Sequence, residues 1–326
     1  MSYRQALLTL LKHGLIPADR IDEAIAVSKV HPSDAQWFRF VDHLLLVTGV
    51  VFVSFAAIFF FAYNWADLDK FAKFASCEIA VIVALTIYLY ADRDSLLGKS
   101  TLLAASLFLG ALLALFGQIY QTGADTWQLF FSWAALIIPW VFVSRFSSLY
   151  ILWLALLNIS VLLYFRTFGG ALDLVFAPLF GTGHGALWGL FVLNTIALTL
   201  WEWASGAFCW LRSRWAPRLI AVASGTPITL LGLKHVVDEH ANSMSIIIIW
   251  MVWATCVYFY YRSRRRDLFM LCGLALSLSA ILITYLAEAL FSVLDSGAFL
   301  IVAILIIGAG SGAALWLRKV HQEWSI

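Results

Sequence analysis

Residues 219–233 read LIAVASGTPITLLGL, and whether this stretch crosses a membrane decides the topology of the chain. It is short for a helical span, which takes about 20 apolar residues, and it contains Gly225 and Pro227. Its flanks settle the reading. Arg212, Arg214 and Arg218 precede it, Lys234 follows it, and the next apolar run ends in Arg262, Arg264, Arg265 and Arg266. Short loops rich in Lys and Arg stay on the cytoplasmic side of a bilayer. Without a crossing at 219–233, the densest basic cluster of the chain would move to the outer face. The stretch therefore reads as a span.

Outward from it lie nine further apolar runs: Leu44–Tyr63, Phe71–Tyr90, Thr101–Ile119, Leu129–Val143, Leu149–Phe165, Ala186–Ser205, Ser245–Tyr261, Leu268–Ala287 and Gly297–Leu317. With the N-terminus inside, only Lys70, Lys73, Arg166 and Lys234 of the 21 basic residues fall outside. The expected fold is all-α, a polytopic transmembrane bundle of ten helices with both termini cytoplasmic. Composition agrees: 63% of the residues are hydrophobic, 12% are charged, and the mean hydropathy is +0.90. Soluble domains carry about 25% charge, and so few polar groups cannot cover a water-facing surface. The basic residues serve topology, so the net charge of +2 points to no nucleic-acid partner. Membrane lipids are the expected surroundings.

Residues 1–43 are the sizeable segment outside the membrane. Ala6, Leu7, Leu10 and Leu11 form one helix stripe, Gly14 falls where a C-terminal cap belongs, and Ile21, Ala24 and Ile25 form the next stripe after Pro17. This reads as a helical hairpin that docks on the membrane face or on a cytoplasmic protein partner. Ser33-x-x-Gln36 reads as a capping box, and nothing interrupts a helix from Asp34 to Ala62. The chain divides on this reading into 1–43, a four-helix membrane unit over 44–143, and six further helices over 144–326 with an interfacial outer loop at 166–185.

Ionisable residues within spans are the candidates for function, because a charge in hydrocarbon costs several kcal/mol. Glu78 lies about two turns into the second span and is read as a proton or cation site or, more simply, an interfacial carboxylate. Glu202 and Glu288 lie at span edges, where an anchoring role is expected. Asn158 and Asn194 lie deeper and suit interhelical hydrogen bonding. Two outer turns are alike: Tyr63-Asn64-Trp65-Ala66-Asp67, and Gln118-Ile119-Tyr120-Gln121-Thr122-Gly123-Ala124-Asp125-Thr126-Trp127. Each sets a Tyr, an amide and an Ala-Asp pair between an outgoing and a returning helix. That fits two duplicated hairpins, and equally a chance likeness of interfacial turns. A duplication would gather Asn64, Trp65, Glu78, Gln118, Tyr120, Gln121, Asp125 and Trp127 into one outward-facing polar patch.

Gly225 and Pro227 mark a candidate broken helix, or else a simple kink. Gly308-x-x-x-Gly312 offers a close-packing face, expected to be used within the protein. His235-x-x-Asp238-Glu239-His240 has metal-ligating residue types, but its two histidines share no helix face, so it reads as a solvated loop without metal. Cys77, Cys209, Cys256 and Cys272 show no CxxC spacing. No nucleotide-binding loop or hydrolase signature occurs. No catalytic residue and no cofactor are expected.

The stretch around Asn64-Trp65, the run Gly117–Trp127, and Trp133 and Pro139-Trp140 downstream resemble a bacterial family known as predicted membrane proteins with a domain of unknown function. The turn Gly14-Leu15-Ile16 is similar to that family's N-terminal segment. The resemblance extends to about residue 145. It implies a bacterial inner membrane and no assigned activity. The chemistry favours a transporter- or flippase-like protein acting on a small molecule or a lipid-linked substrate. The alternative is a membrane scaffold or sensor whose hairpin binds a cytoplasmic partner.

Overall fold

The computed structural model describes residues 10–11, 13–17, 20–28, 34–63, 69–92, 95–121, 123–180, 184–237, 244–294 and 297–325. Among these there is no strand. The helices are α1 (Ile21–Ser28), α2 (Asp34–Tyr63), α3 (Lys70–Tyr90), α4 (Leu96–Tyr120), α5 (Thr126–Ser144), α6 (Ser147–Phe180), α7 (Gly185–Ala207), α8 (Trp215–Val237), α9 (Met244–Phe259), α10 (Leu268–Leu294) and α11 (Ala298–Ser325). Ten of them, α2 to α11, are long and apolar enough to cross a bilayer. All ten runs read from the sequence are thus helices, the doubtful seventh included. The chain is a multi-pass membrane protein.

It forms two compact units. The first comprises Met1–Leu112 with Gln322–Ile326, the second Leu113–His321, so the division falls within α4. In the first unit the expected cap at Gly14 is a closed turn: the Gly14 N–H donates to the Leu11 carbonyl at 3.1 Å and the Leu15 N–H to that of Leu10 at 3.0 Å. Gly14 sits at φ +64, where a side chain would be strained. The helix from Asp34 runs unbroken for 30 residues. Its Phe52, Phe55, Phe59 and Phe60 are exposed, which suits a helix facing lipid instead of a core. Asp69 caps α3 by accepting the Ala72 N–H at 2.7 Å.

The second unit is organised around α8, which packs against α6, α7, α9 and α10. Small residues make these contacts close. A Cβ on Gly232 would lie 2.7 Å from Ile281 Cδ1, and one on Gly189 would lie 2.9 Å from both the Phe165 ring and Val161. In lipid, with little hydrophobic gain between helices, such close backbone approach is a main source of packing energy. Two apolar clusters result. One holds Leu154, Leu198, Trp201, Leu211, Ala216 and Ile220. The other holds Trp188, Phe191, Ile228, Leu231, Ile246 and Trp250.

Three readings of the sequence bear on the helices of this unit. The segment after Arg166, read as an outer loop, continues α6 as helix to Phe180. At 34 residues this helix is about 51 Å long, well beyond the hydrocarbon thickness of about 30 Å. Of the two readings of Gly225 and Pro227, a broken helix and a simple kink, the broken helix is not seen, and α8 is continuous from Trp215 to Val237. There the Thr229 hydroxyl donates to the Gly225 carbonyl at 2.7 Å. Gly308 and Gly312 meet nothing within 4 Å of an added Cβ, so the expected packing face within the protein is not formed among the described residues.

Candidate functional site

Of the polar patch expected at the outer turns, Asn64 and Trp65 lie outside the described residues. Glu78 belongs to the first unit and is exposed on α3. Gln118, Tyr120, Gln121, Asp125 and Trp127 belong to the second, where they build a tight connector. Gln121 at φ 41 and Gly123 at φ 66 reverse the chain after α4, and Asp125 stands at the N-cap of α5. Trp127 packs edge-on against Tyr164, with ring centroids 5.0 Å apart. Gln118 and Tyr120 are exposed. Asp238, Glu239 and His240 also lie outside the described residues, and among those described no cluster could hold a metal ion.

The densest charged constellation is elsewhere, at the end of the second unit that carries the arginine loops. Its centre is Glu202, 5% exposed, near the end of α7. Arg214, in the connection between α7 and α8, donates from Nη1 to Glu202 Oε1 at 2.9 Å. The Tyr261 hydroxyl donates to the same oxygen at 3.1 Å. Arg265 Nε pairs with Glu202 Oε2 at 3.2 Å, and its Nη2 donates to the Glu202 carbonyl at 3.1 Å and to the Ser205 hydroxyl.

Asp267, also 5% exposed, is the second anion. It accepts from Arg214 Nε and Nη2 at 3.1 and 2.9 Å and from Arg218 Nε and Nη2 at 3.2 Å each. It also caps α10 by accepting the Phe269 N–H at 3.1 Å. Burial alone would raise the Asp267 carboxyl, but the hydrogen bonds from Arg218 and Arg214 outweigh it and hold the group below its usual range. For Arg214 burial works against the charge, and the neighbouring Glu202 and Asp267 more than compensate, so its guanidinium is held above its ordinary value. Charges this buried persist only when paired.

Local structure aims these groups. After Phe259 the helix widens into a π turn over Tyr260–Arg264, closed by the Arg265 N–H on the Tyr260 carbonyl at 3.2 Å. The extra residue leaves Tyr261 inside, 3% exposed. Single π turns of this kind recur at functional sites.

Tyr261 also lines a cavity of about 420 Å³ between α7, α8, α9 and α10. From Phe269 to Ala280 it follows α10 for about 16 Å. The wall is apolar except for hydroxyls: Thr229 and Ser277 are 2.6 Å apart, Trp250 Nε1 donates to Ser277 at 3.0 Å, and Thr226 is exposed. A second cavity of about 570 Å³ lies between α6, α7 and α8. Val222, Thr226 and Leu230 line both, so one ridge of α8 separates them. The second cavity reaches Asn158 and Asn194. These hold one another across α6 and α7: Asn158 Nδ2 donates to Asn194 Oδ1 at 3.1 Å, and Asn194 Nδ2 donates back at 2.5 Å.

Sequence reasoning took Glu202 for an interfacial anchor and missed this network. A readable signal existed in that the Arg212–Arg218 and Arg262–Arg266 runs lie close in sequence to Glu202 and Asp267.

Residues 9–150 of the chain match the model of a family described as "Predicted membrane protein (DUF2157)". No curated protein matches the chain, and no solved structure does. The family match ends before α7, so the charge network and the cavity that Tyr261 lines lie beyond it.

Proposed function

We propose that the protein is transporter- or flippase-like and takes an amphiphilic, lipid-like molecule into the cavity beside α8, with the arginine loops on the cytoplasmic side of a bacterial inner membrane. The cavity itself carries this reading. Its volume of about 420 Å³ falls within the roughly 300–1,000 Å³ usual for ligand sites, and it joins apolar walls to a few polar groups as such sites do. Its length suits a chain-like ligand. A charged network stands at one end and hydroxyls stand at mid-height. On this reading the pathway runs through the second unit, and Glu78 belongs to the first.

The test is a lipid-scrambling assay in proteoliposomes with a fluorescent phospholipid. Nothing lies within 4 Å of a Cβ added at Gly273, which lines the cavity, so Gly273→Leu fills it without a backbone clash. Scrambling lost in Gly273→Leu and kept in Glu78→Gln supports the reading. Scrambling unaffected by Gly273→Leu, or absent from the wild type, overturns it.

The scaffold reading has its own observation. The turn at Gly14 leaves Leu10 and Leu15 exposed at 42% and 67%, apolar surface that a cytoplasmic partner would cover.

A further inference from the structure

We infer that the cavity beside α8 selects amphiphiles with an anionic, phosphate-type headgroup, which Arg218 meets at the end of the cavity that Phe269 lines. The inference rests on the cavity being a ligand site, and it adds the substrate class. Phe269 lines the cavity, and the Arg218 guanidinium lies over the Phe269 ring, 5.5 Å from its centroid. Arg218 therefore stands beside the end of the cavity that Phe269 lines. Its side chain is 42% exposed while that of Asp267, which orients it, is 3% exposed. The carboxylate approaches from the protein side and spends Nε and Nη2, leaving the rest of the guanidinium for a ligand.

The surroundings favour an anion. Asp267 is shared by two guanidiniums, and Glu202 by two. Arg212, Arg264 and Arg266 at the same end are exposed. A headgroup phosphate held there would have its chain running along α10 past Gly273 toward Ala280. A purely topogenic role needs basic residues in the loops. It does not need two buried carboxylates that fix the guanidiniums, nor one of these laid on an aromatic ring of the cavity wall. Arginine's planar fork is the side chain suited to phosphate oxygens.

The experiment uses the full chain in nanodiscs with phospholipids bearing a diazirine on the acyl chain, one with a phosphatidylglycerol and one with a phosphatidylcholine headgroup. Crosslinks are mapped to α8 and α10. The wild type should take the glycerol lipid about fivefold more, the weight of one basic side chain beside anionic lipid. In Arg218→Gln the glycerol lipid should fall to the level of the choline lipid, which itself stays unchanged, and Arg218→Lys should keep most of the preference. Raising the salt concentration on the wild type should reduce the preference without a variant. Equal labelling by both lipids in the wild type, or an unchanged preference in Arg218→Gln, overturns the inference while leaving the cavity reading intact. Displacement of the glycerol lipid by inorganic phosphate also overturns it, by assigning the arginines to a soluble anion. Loss of all crosslinks in Gly273→Leu supports the cavity reading on which the inference rests, and their persistence overturns that reading.

Discussion

The Tyr261 hydroxyl donates to Glu202 Oε1 at 3.1 Å, while the same side chain lines the cavity between α8 and α10. One side chain thus joins the buried charges to the space where a ligand would lie. A conformational change in the π turn that moved Tyr261 would alter both at once. Tyr261→Phe keeps the packing and removes the donor. It should lower stability by about 1.5–3 kcal/mol, the range for hydrogen bonds to charged groups, read as a lower melting temperature in detergent.

Glu202→Gln should cost more. It leaves Arg214 and Arg265 beside an uncharged amide. Their side chains are 30% and 33% exposed, so water offsets part of the loss. The cost should fall near the lower edge of the roughly 3–5 kcal/mol seen when a buried pair loses a partner. Denaturant titration followed by Trp fluorescence measures it.

Acid should act through Asp267. Its carboxyl is held below the usual range in the folded protein. Its stabilising contribution is therefore complete above the unfolded value of about 3.9 and is lost as pH falls through the lower folded value. Arg214 is held above its ordinary value, so its contribution persists throughout the acid and neutral range. Asp267→Asn should lower the melting temperature at neutral pH, and the gap to the wild type should close below about pH 4. A constant gap would show that the lost packing, not the charge, sets the cost.

The Asn158–Asn194 pair should be coupled. Asn158→Leu alone leaves Asn194, buried at 0% exposure, without its cross-helix partner, at a cost of about 1–2 kcal/mol. The double variant Asn158→Leu with Asn194→Leu should cost less than the sum of the singles, as a thermal double-mutant cycle would report.

Two glycines should part in the same way. Gly189→Ala sets a methyl group 2.9 Å from the Phe165 ring and from Val161, and overpacking of this kind costs about 1–3 kcal/mol. Gly273→Ala meets open space and gains helix propensity, so its melting temperature should equal or exceed that of the wild type.

The ten helices were legible because hydropathy and loop charge are local signals, each read within about one span length. The long helix from Asp34 and the turn at Gly14 were legible for the same reason. The network was not. Glu202 draws its partners Tyr261 and Arg265 from the far side of α8 and α9, and no periodicity links residues so distant in sequence. The sequence left α8 open between a broken and a continuous helix. Pro227 removes a donor, but whether the helix breaks depends on packing: Pro227 and its neighbours Ser224 and Ile228 are buried, which fixes the backbone. The extent of α6 was not legible, because it stays helical beyond the apolar run that defined the span.

The most direct measurement is a cryo-electron microscopy map of the full chain in nanodiscs containing phosphatidylglycerol. The account predicts elongated density along α10 from Phe269 to Ala280, with its compact end beside Arg218. A well-resolved map in which Trp253 and Leu276 close that space, leaving no density between α8 and α10, would contradict it.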